Sequence, residues 1–209
     1  MGKEQFSVYY FFIPYICRMK IPESQYSLPF MNMKNEKTTI VSQTIETPIG
    51  DMICCAVDSG LCLLEFTDRR MLEDNLSIIQ KRFKGKIKEG SNEHIERLSY
   101  ELNKYFAGTL RDFTIALSTN GTPFQERVWN ELCNIPYGST CSYEELAINI
   151  GDHNAVRAVA GANGMNRISI LIPCHRVIGK DGKLTGYGGG LWRKRYLLDL
   201  EGRGEWLFG

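Results

Sequence analysis

The sequence predicts a mixed α/β (α+β) protein with a strand-rich N-terminal part and a mostly helical C-terminal part. Three short β-prone runs separated by turn residues follow one another between residues 38 and 67. Later segments carry apolar residues at helical spacing, and the polar stretch 118–123 separates the two parts. With 209 residues, 43% of them hydrophobic and 23% charged, the chain is long enough to bury a core and has a globular composition.

The first 37 residues show no regular pattern. Residues 6–17 are apolar, but they are too short to span a bilayer, are interrupted by Pro14 and lack a clear cleavage site for a signal peptide. Met31 and Met33 directly precede the first regular pattern. We therefore expect residues 1–37 to be a dispensable extension, with residues 1–30 arising from an upstream translation start.

Residues 38–118 predict one domain. Pro48-Ile49-Gly50 and Asp58-Ser59-Gly60 supply turns between the three runs, which indicates an antiparallel meander. Helical spacing then predicts helices over 71–83 and 93–106, the second ending at Gly108. The run FTIALS (113–118) predicts a further strand.

Residues 119–209 predict a second domain. A helix begins at Pro123, and Ser142 with Glu145 forms a capping-box pair ahead of the next helix. Gly151 ends that helix, and a small-residue helix follows over 154–164. Two short helices joined by a glycine-containing turn have the form of a helix-turn-helix. The last predicted helix covers 193–202.

The charges are segregated. Residues 153–195 contain eight Lys and Arg residues against one acid, Asp181, although the whole chain has a net charge of +1. A basic window in an otherwise acidic chain indicates a polyanionic partner. The seven cysteines show neither a CxxC pair nor zinc-ligand spacing, so we predict reduced thiols, no metal site, no membrane association and a cytoplasmic location.

The segment 168–179 carries the strongest chemical signal. An apolar, β-prone run ends at Pro173 and is followed by Cys174, His175 and Arg176. A thiolate is a nucleophile and needs a base and an orienting group, although a buried cysteine can also be a small core residue. Adjacent residues of a strand face opposite sides, so contact between thiol and imidazole requires a bend or a bridging water. The residues alone leave Asp199 and Glu201 equal as the third group.

A glycine-rich loop follows the candidate nucleophile. Gly186, Gly188, Gly189 and Gly190 surround Tyr187, which indicates a backbone that closely approaches another group. The aromatic residues Tyr187 and Trp192 predict a wall for a planar ligand.

The motifs PCHRVIG, TGYGGGLWRKRYLLDLEG and NGMNRISILI resemble those of the methylated-DNA–protein-cysteine methyltransferases, the O6-alkylguanine-DNA alkyltransferases. The resemblance runs from about Pro123 to Gly202. It implies a ribonuclease-H-like N-terminal domain and a mostly helical, winged helix-turn-helix-like C-terminal domain that carries the active-site cysteine. The implied activity is irreversible, single-turnover transfer of an alkyl group from O6-methylguanine, and from O4-methylthymine, to that cysteine. It further implies a monomer that binds double-stranded DNA independently of sequence, without a cofactor.

The resemblance also implies roles for individual residues. Cys174 matches the alkyl acceptor, His175 the water-mediated base, Glu201 its carboxylate partner, and Asn166 the residue that braces the active-site turn. Tyr143 matches the tyrosine that helps to rotate the nucleotide and hydrogen-bonds the flipped guanine.

Further positions match the DNA-binding face and the substrate pocket. Arg157 matches the arginine that fills the vacated place in the duplex, on a helix face that includes Ala155 and Ala158. Tyr187 and Gly188 match the lid of the pocket, with Trp192 at the end of this loop. The carbonyls of Cys174 and Val177 are expected to hold the exocyclic amine of guanine.

One departure and three alternatives remain. Arg167 stands where many members have proline, and it is expected to alter the turn or to contact a phosphate. A thiol hydrolase would need neither the basic window nor the helix pair. A noncatalytic lesion-binding relative typically lacks the cysteine, and a transcriptional regulator would need an additional DNA-binding module.

Overall fold

The computed structural model describes residues 38–202, so the expectation for residues 1–37 lies outside the described part of the chain. The strands β1 (Thr39–Ile45), β2 (Met52–Val57) and β3 (Gly60–Phe66) form the predicted antiparallel meander. A short strand that the sequence analysis missed, β4 (Lys86–Glu89), pairs in parallel with β1 and completes the sheet order β3-β2-β1-β4. Because three of its four residues are exposed, β4 lacks the apolar alternation that identifies a strand.

Two helices pack with this sheet. Helix α1 covers Leu72–Phe83 and helix α2 covers Glu93–Phe106. The side chain of Asn92 caps α2 at its N-terminus, and Gly108 follows its C-terminal end with a φ of 70°, as the sequence predicts.

The prediction of a strand over 113–118 is wrong. This segment makes a single bridge to β3, in which Leu61 N–H donates to Ala116 O (2.9 Å) and Ser118 N–H donates to Leu61 O (2.8 Å). A second segment, residues 167–169, forms backbone hydrogen bonds with Leu64 of β3. Since the two segments share β3, neither forms a full strand.

The C-terminal part is mostly helical. Its helices are α3 (Pro123–Leu132), α4 (Tyr143–Asn149), α5 (Val156–Gly164) and α6 (Leu191–Gly202). Ser142 and Glu145 form the predicted capping box of α4, and Thr122 with Gln125 forms another at α3. Two-residue strands, β5 (Cys141–Ser142) and β6 (Val177–Ile178), pair in parallel beside the helices.

The apolar run before Pro173 is a buried turn, so the predicted strand is wrong there too. Leu64 N–H donates to Arg167 O, and Ser169 N–H donates to Leu64 O, each at 2.8 Å. Beyond this one bridge the chain turns, and Ile170 adopts a φ of 73°, which is uncommon for a β-branched residue. The run is apolar because it lies in the core, where burial alone produces the same pattern as a strand.

One apolar core joins the two parts of the chain. The same cluster of buried side chains contains Leu64 and Tyr105 from the N-terminal part and Trp129 and Leu197 from the C-terminal part. The buried turn that precedes Cys174 is therefore built against the N-terminal sheet. Within residues 38–202, no helix is long and apolar enough to cross a membrane.

Candidate active site

A cavity of about 550 Å³ lies between the two parts of the chain, and Cys174 is in its wall. Three groups of residues line it. The C-terminal helices and the active-site turn contribute Tyr143, Ala160, Asn163, Gly164, Asn166, Ser169 and Cys174; the glycine-rich loop contributes Thr185 to Gly188; and the N-terminal part contributes Arg69, Arg70 and Met71.

Cys174 opens a 3₁₀ turn, Cys174–Arg176, and is only 6% exposed. The amide of Asn166 donates to its Sγ at 3.1 Å and to Ile172 O at 2.9 Å, while Asn166 Oδ1 accepts from Ile168 N–H at 2.9 Å. One side chain thus connects both ends of the apolar turn to the sulfur. This geometry fits the bracing role that the resemblance implies for Asn166.

Burial raises the pKa of the Cys174 thiol, and the hydrogen bond from Asn166 only partly opposes this effect. The resting group is therefore a neutral thiol at pH 7. A buried thiol of this kind needs a base to become nucleophilic.

His175 is completely buried, and its Nε2 lies 2.9 Å from Glu201 Oε1. Burial lowers the pKa of His175 despite the opposing effect of the carboxylate, so the imidazole is neutral at pH 7. Because an ionised carboxylate only accepts, Nε2 carries the proton and Nδ1 keeps its lone pair. Among residues 38–202, Nδ1 has no hydrogen-bond partner, and no hydrogen bond joins the imidazole to Cys174 Sγ.

The carboxylate of Glu201 is buried and accepts hydrogen bonds from three side chains. It accepts from Arg176 Nε (2.8 Å), Arg176 Nη2 (3.0 Å) and the hydroxyl of Tyr105 (2.7 Å), in addition to His175. Burial alone would raise its pKa, but the hydrogen bonds and charges of His175 and Arg176 outweigh it and hold the pKa well below the usual range. The structure places Glu201 against His175, whereas the buried Oδ1 of Asp199 has no hydrogen-bond partner among the described residues.

Two tyrosines face the cavity from different elements. Tyr143 is the first residue of α4, and Tyr187 belongs to the glycine-rich loop. Burial raises the pKa of Tyr143 and raises that of Tyr187 well above its usual value, so both phenols are protonated at neutral pH. Each can donate a hydrogen bond to a group bound in the cavity.

Only some of the remaining predicted pocket residues line the cavity. Gly188 lines the cavity, but Trp192 does not. Trp192 is the second residue of α6 and 58% exposed, and its indole lies beside Gly190 at the end of the loop, outside the cavity wall. The carbonyl of Val177 accepts from Lys194 Nζ at 2.5 Å, and that of Cys174 accepts from Val177 N–H. Both carbonyls therefore already have one donor.

Helix α5 places Arg157 and Ala158 on its exposed surface, while Ala155 is half-buried at its start. The basic window is not one charged surface. Four of its eight cations, Arg167, Arg176, Arg193 and Lys194, are buried. The expected phosphate contact of Arg167 is wrong, because its guanidinium lies 5.5 Å from the ring centre of Trp129, inside the protein.

The sequence analysis missed the contributions of the N-terminal part. Arg69 donates to Asn166 O (3.0 Å) and to Gly164 O (2.8 Å), and it is paired with buried Glu65. Lys194 was also missed: its fully buried ammonium donates to Val177 O and to Thr185 O (2.6 Å). The contacts of Arg69 with Asn166 and Gly164 were not predictable, because these partners lie more than 90 positions away, and the sequence around Lys194 does not show that its ammonium is buried.

Within the described residues, no group of three His, Cys, Asp or Glu side chains is placed to hold a metal ion. The polar groups around Cys174 are those of a thiol nucleophile with a buried base. They resemble a Cys-His-carboxylate arrangement in which the base is oriented by the acid.

Both parts of the chain resemble domains of known proteins. Residues 40–119 match the profile of the "6-O-methylguanine DNA methyltransferase, ribonuclease-like domain", and residues 123–203 match that of the "6-O-methylguanine DNA methyltransferase, DNA binding domain". The methylated-DNA–protein-cysteine methyltransferase of Mycobacterium bovis is 46% identical over 166 residues, covering 76% of this chain and 90% of the relative. That of Methanosarcina barkeri is 42% identical over 158 residues, covering 75% of this chain and 94% of the relative.

A solved structure extends the comparison to the fold. The crystal structure of Mycobacterium tuberculosis OGT in complex with DNA aligns with a TM-score of 0.67 at 43% identity, covering 79% of this chain and 94% of that chain. Both parts of the present chain, their order and their packing therefore have counterparts of known structure. The chain belongs to the methylated-DNA–protein-cysteine methyltransferase family.

Proposed function

We propose that this protein repairs alkylated DNA by transferring the alkyl group from O6-methylguanine, and from O4-methylthymine, to Cys174. The transfer of an alkyl group from DNA to a cysteine follows from the family. The observation that supports Cys174 as the acceptor is its position: Sγ lies at the wall of a cavity, is bonded by Asn166, and is followed directly by the buried His175–Glu201 pair.

The reaction is a single displacement. The thiol proton passes through a bridging water to His175 Nδ1, and the sulfur attacks the alkyl carbon. The new S–C bond forms as the C–O6 bond breaks, and the electron pair remains on the guanine. Tyr143, which is protonated and faces the cavity, donates a proton to the leaving base. Solvent then reprotonates Tyr143 and takes the thiol proton from His175, so that the net transfer is one proton from the thiol to the guanine. Because a thioether has no good leaving group, each molecule reacts once.

The alkylated base has to leave the duplex, because its O6 atom is inaccessible in the stack. The side chain of Arg157, exposed on α5, fills the place that the base vacates. The surface of α5 also exposes small residues, Ala158, Ala160 and Gly161. Such a surface offers few side chains to read base edges, which supports sequence-independent binding.

A thiol hydrolase is the alternative from a different class, and the two functions differ in turnover. Intact-mass spectrometry after mixing the protein with a duplex that contains one O6-methylguanine separates them. We expect one adduct of about 14 Da per molecule, mapped to Cys174 and saturating at one. Binding without an adduct would instead indicate a lesion-binding protein, and neither binding nor an adduct would favour the hydrolase.

Replacing Arg157 with alanine is expected to slow repair in duplex DNA by about 10- to 100-fold, because base extrusion costs a few kcal/mol and loses its compensation. Transfer from free O6-alkylguanine should change by less than about twofold, since no duplex has to open. Rates of Cys174 alkylation with both substrates test this. Lys81→Ala, which removes an exposed cation from α1, controls for the loss of charge; equal losses on both substrates would contradict the role of Arg157.

A further inference from the structure

One wall of the alkyl-acceptor cavity comes from the N-terminal part of the chain. Arg69, Arg70 and Met71, which connect β3 to α1, line the cavity together with Cys174 and the loop 185–188. We call residues 185–190 the lid loop. The size of the cavity therefore depends on how the lid loop is held relative to residues 66–71.

The lid loop packs directly on these N-terminal residues. A Cβ atom on Gly188 would lie 2.6 Å from Cζ of Arg69, and one on Gly189 would lie 2.6 Å from Cδ2 of Phe66. At such distances a side chain would fit only if Arg69 or Phe66 shifted. The backbone of the lid loop is thus in van der Waals contact with β3 and the residues that follow it.

Arg193 joins the same two regions by hydrogen bonds. Its guanidinium forms two bonds to the carboxylate of Asp68 (2.8 and 2.9 Å), and it donates to Ile49 O (2.7 Å) and to Gly189 O (2.9 Å). It also stacks on the ring of Phe66, 4.1 Å from the ring centre. One buried side chain of α6 therefore connects the lid loop to two N-terminal loops.

We propose that the N-terminal part limits the size of the alkyl group that Cys174 accepts, through the Asp68–Arg193 pair and the wall at Met71. This inference rests on the proposed function. A methyl group needs little space beside Sγ. A benzyl group adds a ring that has to fit between Cys174, Met71 and the lid loop, and any outward movement of the lid loop strains the contacts of Arg193 with Asp68 and Gly189.

Asp68→Asn is the main test. Asp68 is exposed, so the amide removes the charge without leaving a hole in the core. Rates of Cys174 alkylation are measured by intact mass with matched duplexes that carry O6-methylguanine or O6-benzylguanine. We expect the ratio of the benzyl rate to the methyl rate to rise by about tenfold, with the methyl rate within about twofold of the wild type.

Two further variants make the result decisive. Asp181→Asn breaks an exposed ion pair with Lys183 that lies within the C-terminal part, and it should leave the ratio unchanged. Met71→Ala widens the wall itself and should raise the ratio even if Asp68→Asn does not fold. An unchanged ratio in a folded Asp68→Asn protein and in Met71→Ala overturns the inference. Absence of methyl transfer in the wild type would overturn the proposed function instead.

Discussion

Cys174→Ala is expected to abolish alkyl transfer while the affinity for duplex DNA stays within about twofold. The sulfur is the only atom of this side chain that can form the new bond to carbon. Its loss leaves the turn intact, because the amide of Asn166 still donates to Ile172 O and Asn166 Oδ1 still accepts from Ile168. Intact-mass spectrometry with O6-methylguanine duplex measures transfer, and a fluorescence binding assay measures affinity.

Two other cysteines serve as controls for this result. Cys133 and Cys141 are partly exposed, whereas Cys54, Cys55 and Cys62 are buried in the N-terminal sheet. Burial raises the pKa of Cys141 to about 11, so it is a poor nucleophile at pH 7. Cys133→Ala and Cys141→Ala should transfer at the wild-type rate. An adduct on Cys174→Ala that maps to either residue would show that the acceptor is misassigned.

The elements that could be predicted from sequence are those whose signals are local. Helix α4 has its capping box, Ser142 and Glu145, and α2 has both an apolar stripe and a terminal glycine, so their limits follow from a few neighbouring residues. The run 168–172 led to the wrong prediction of a strand, because residues in a buried turn are as apolar as those in a buried strand. Only its partner on β3, Leu64, decides between the two, and local sequence does not reveal partners.

The same limit applies to the candidate site. The motif at Cys174, with the glycine-rich loop behind it, was sufficient to predict a candidate nucleophile, a candidate base and a candidate lid, which the structure brings to one cavity or directly beside it. The N-terminal residues that support them were not predictable, since Tyr105 bonds Glu201 across 96 positions and Arg69 bonds Asn166 across 97. Charge counting predicted a polyanionic partner, which agrees with the DNA binding domain that residues 123–203 match. It overstated the exposed charge, however, because it treats buried cations such as Lys194 and Arg193 as if they faced solvent.

Glu201→Gln is expected to lower the transfer rate by about 100-fold or more and to reduce the free energy of unfolding by about 3–5 kcal/mol. The carboxylate orients His175 so that Nδ1 can take the thiol proton, and it is the counter-charge of buried Arg176. An amide leaves that guanidinium buried without its ion pair. Single-turnover kinetics and urea unfolding at pH 7 measure the two effects. Asp199→Asn, on the same helix but not the carboxylate that is hydrogen-bonded to His175, should change neither by much.

The pH dependence of stability distinguishes this role from simple packing. The pKa of His175 is lowered in the folded protein, so the unfolded chain binds the proton first and stability falls as the pH drops below 6.5. The pKa of Glu201 is also lowered, so its contribution is present above 4.5 and is lost as the pH falls towards the lower pKa of the folded state. The free energy of unfolding of the wild type should therefore decrease as the pH falls below 6.5, and decrease further as the pH falls below 4.5. Glu201→Gln should abolish the carboxylate's part of the decrease below pH 4.5, and an unchanged slope there would mean that Glu201 is not ionised in the folded protein.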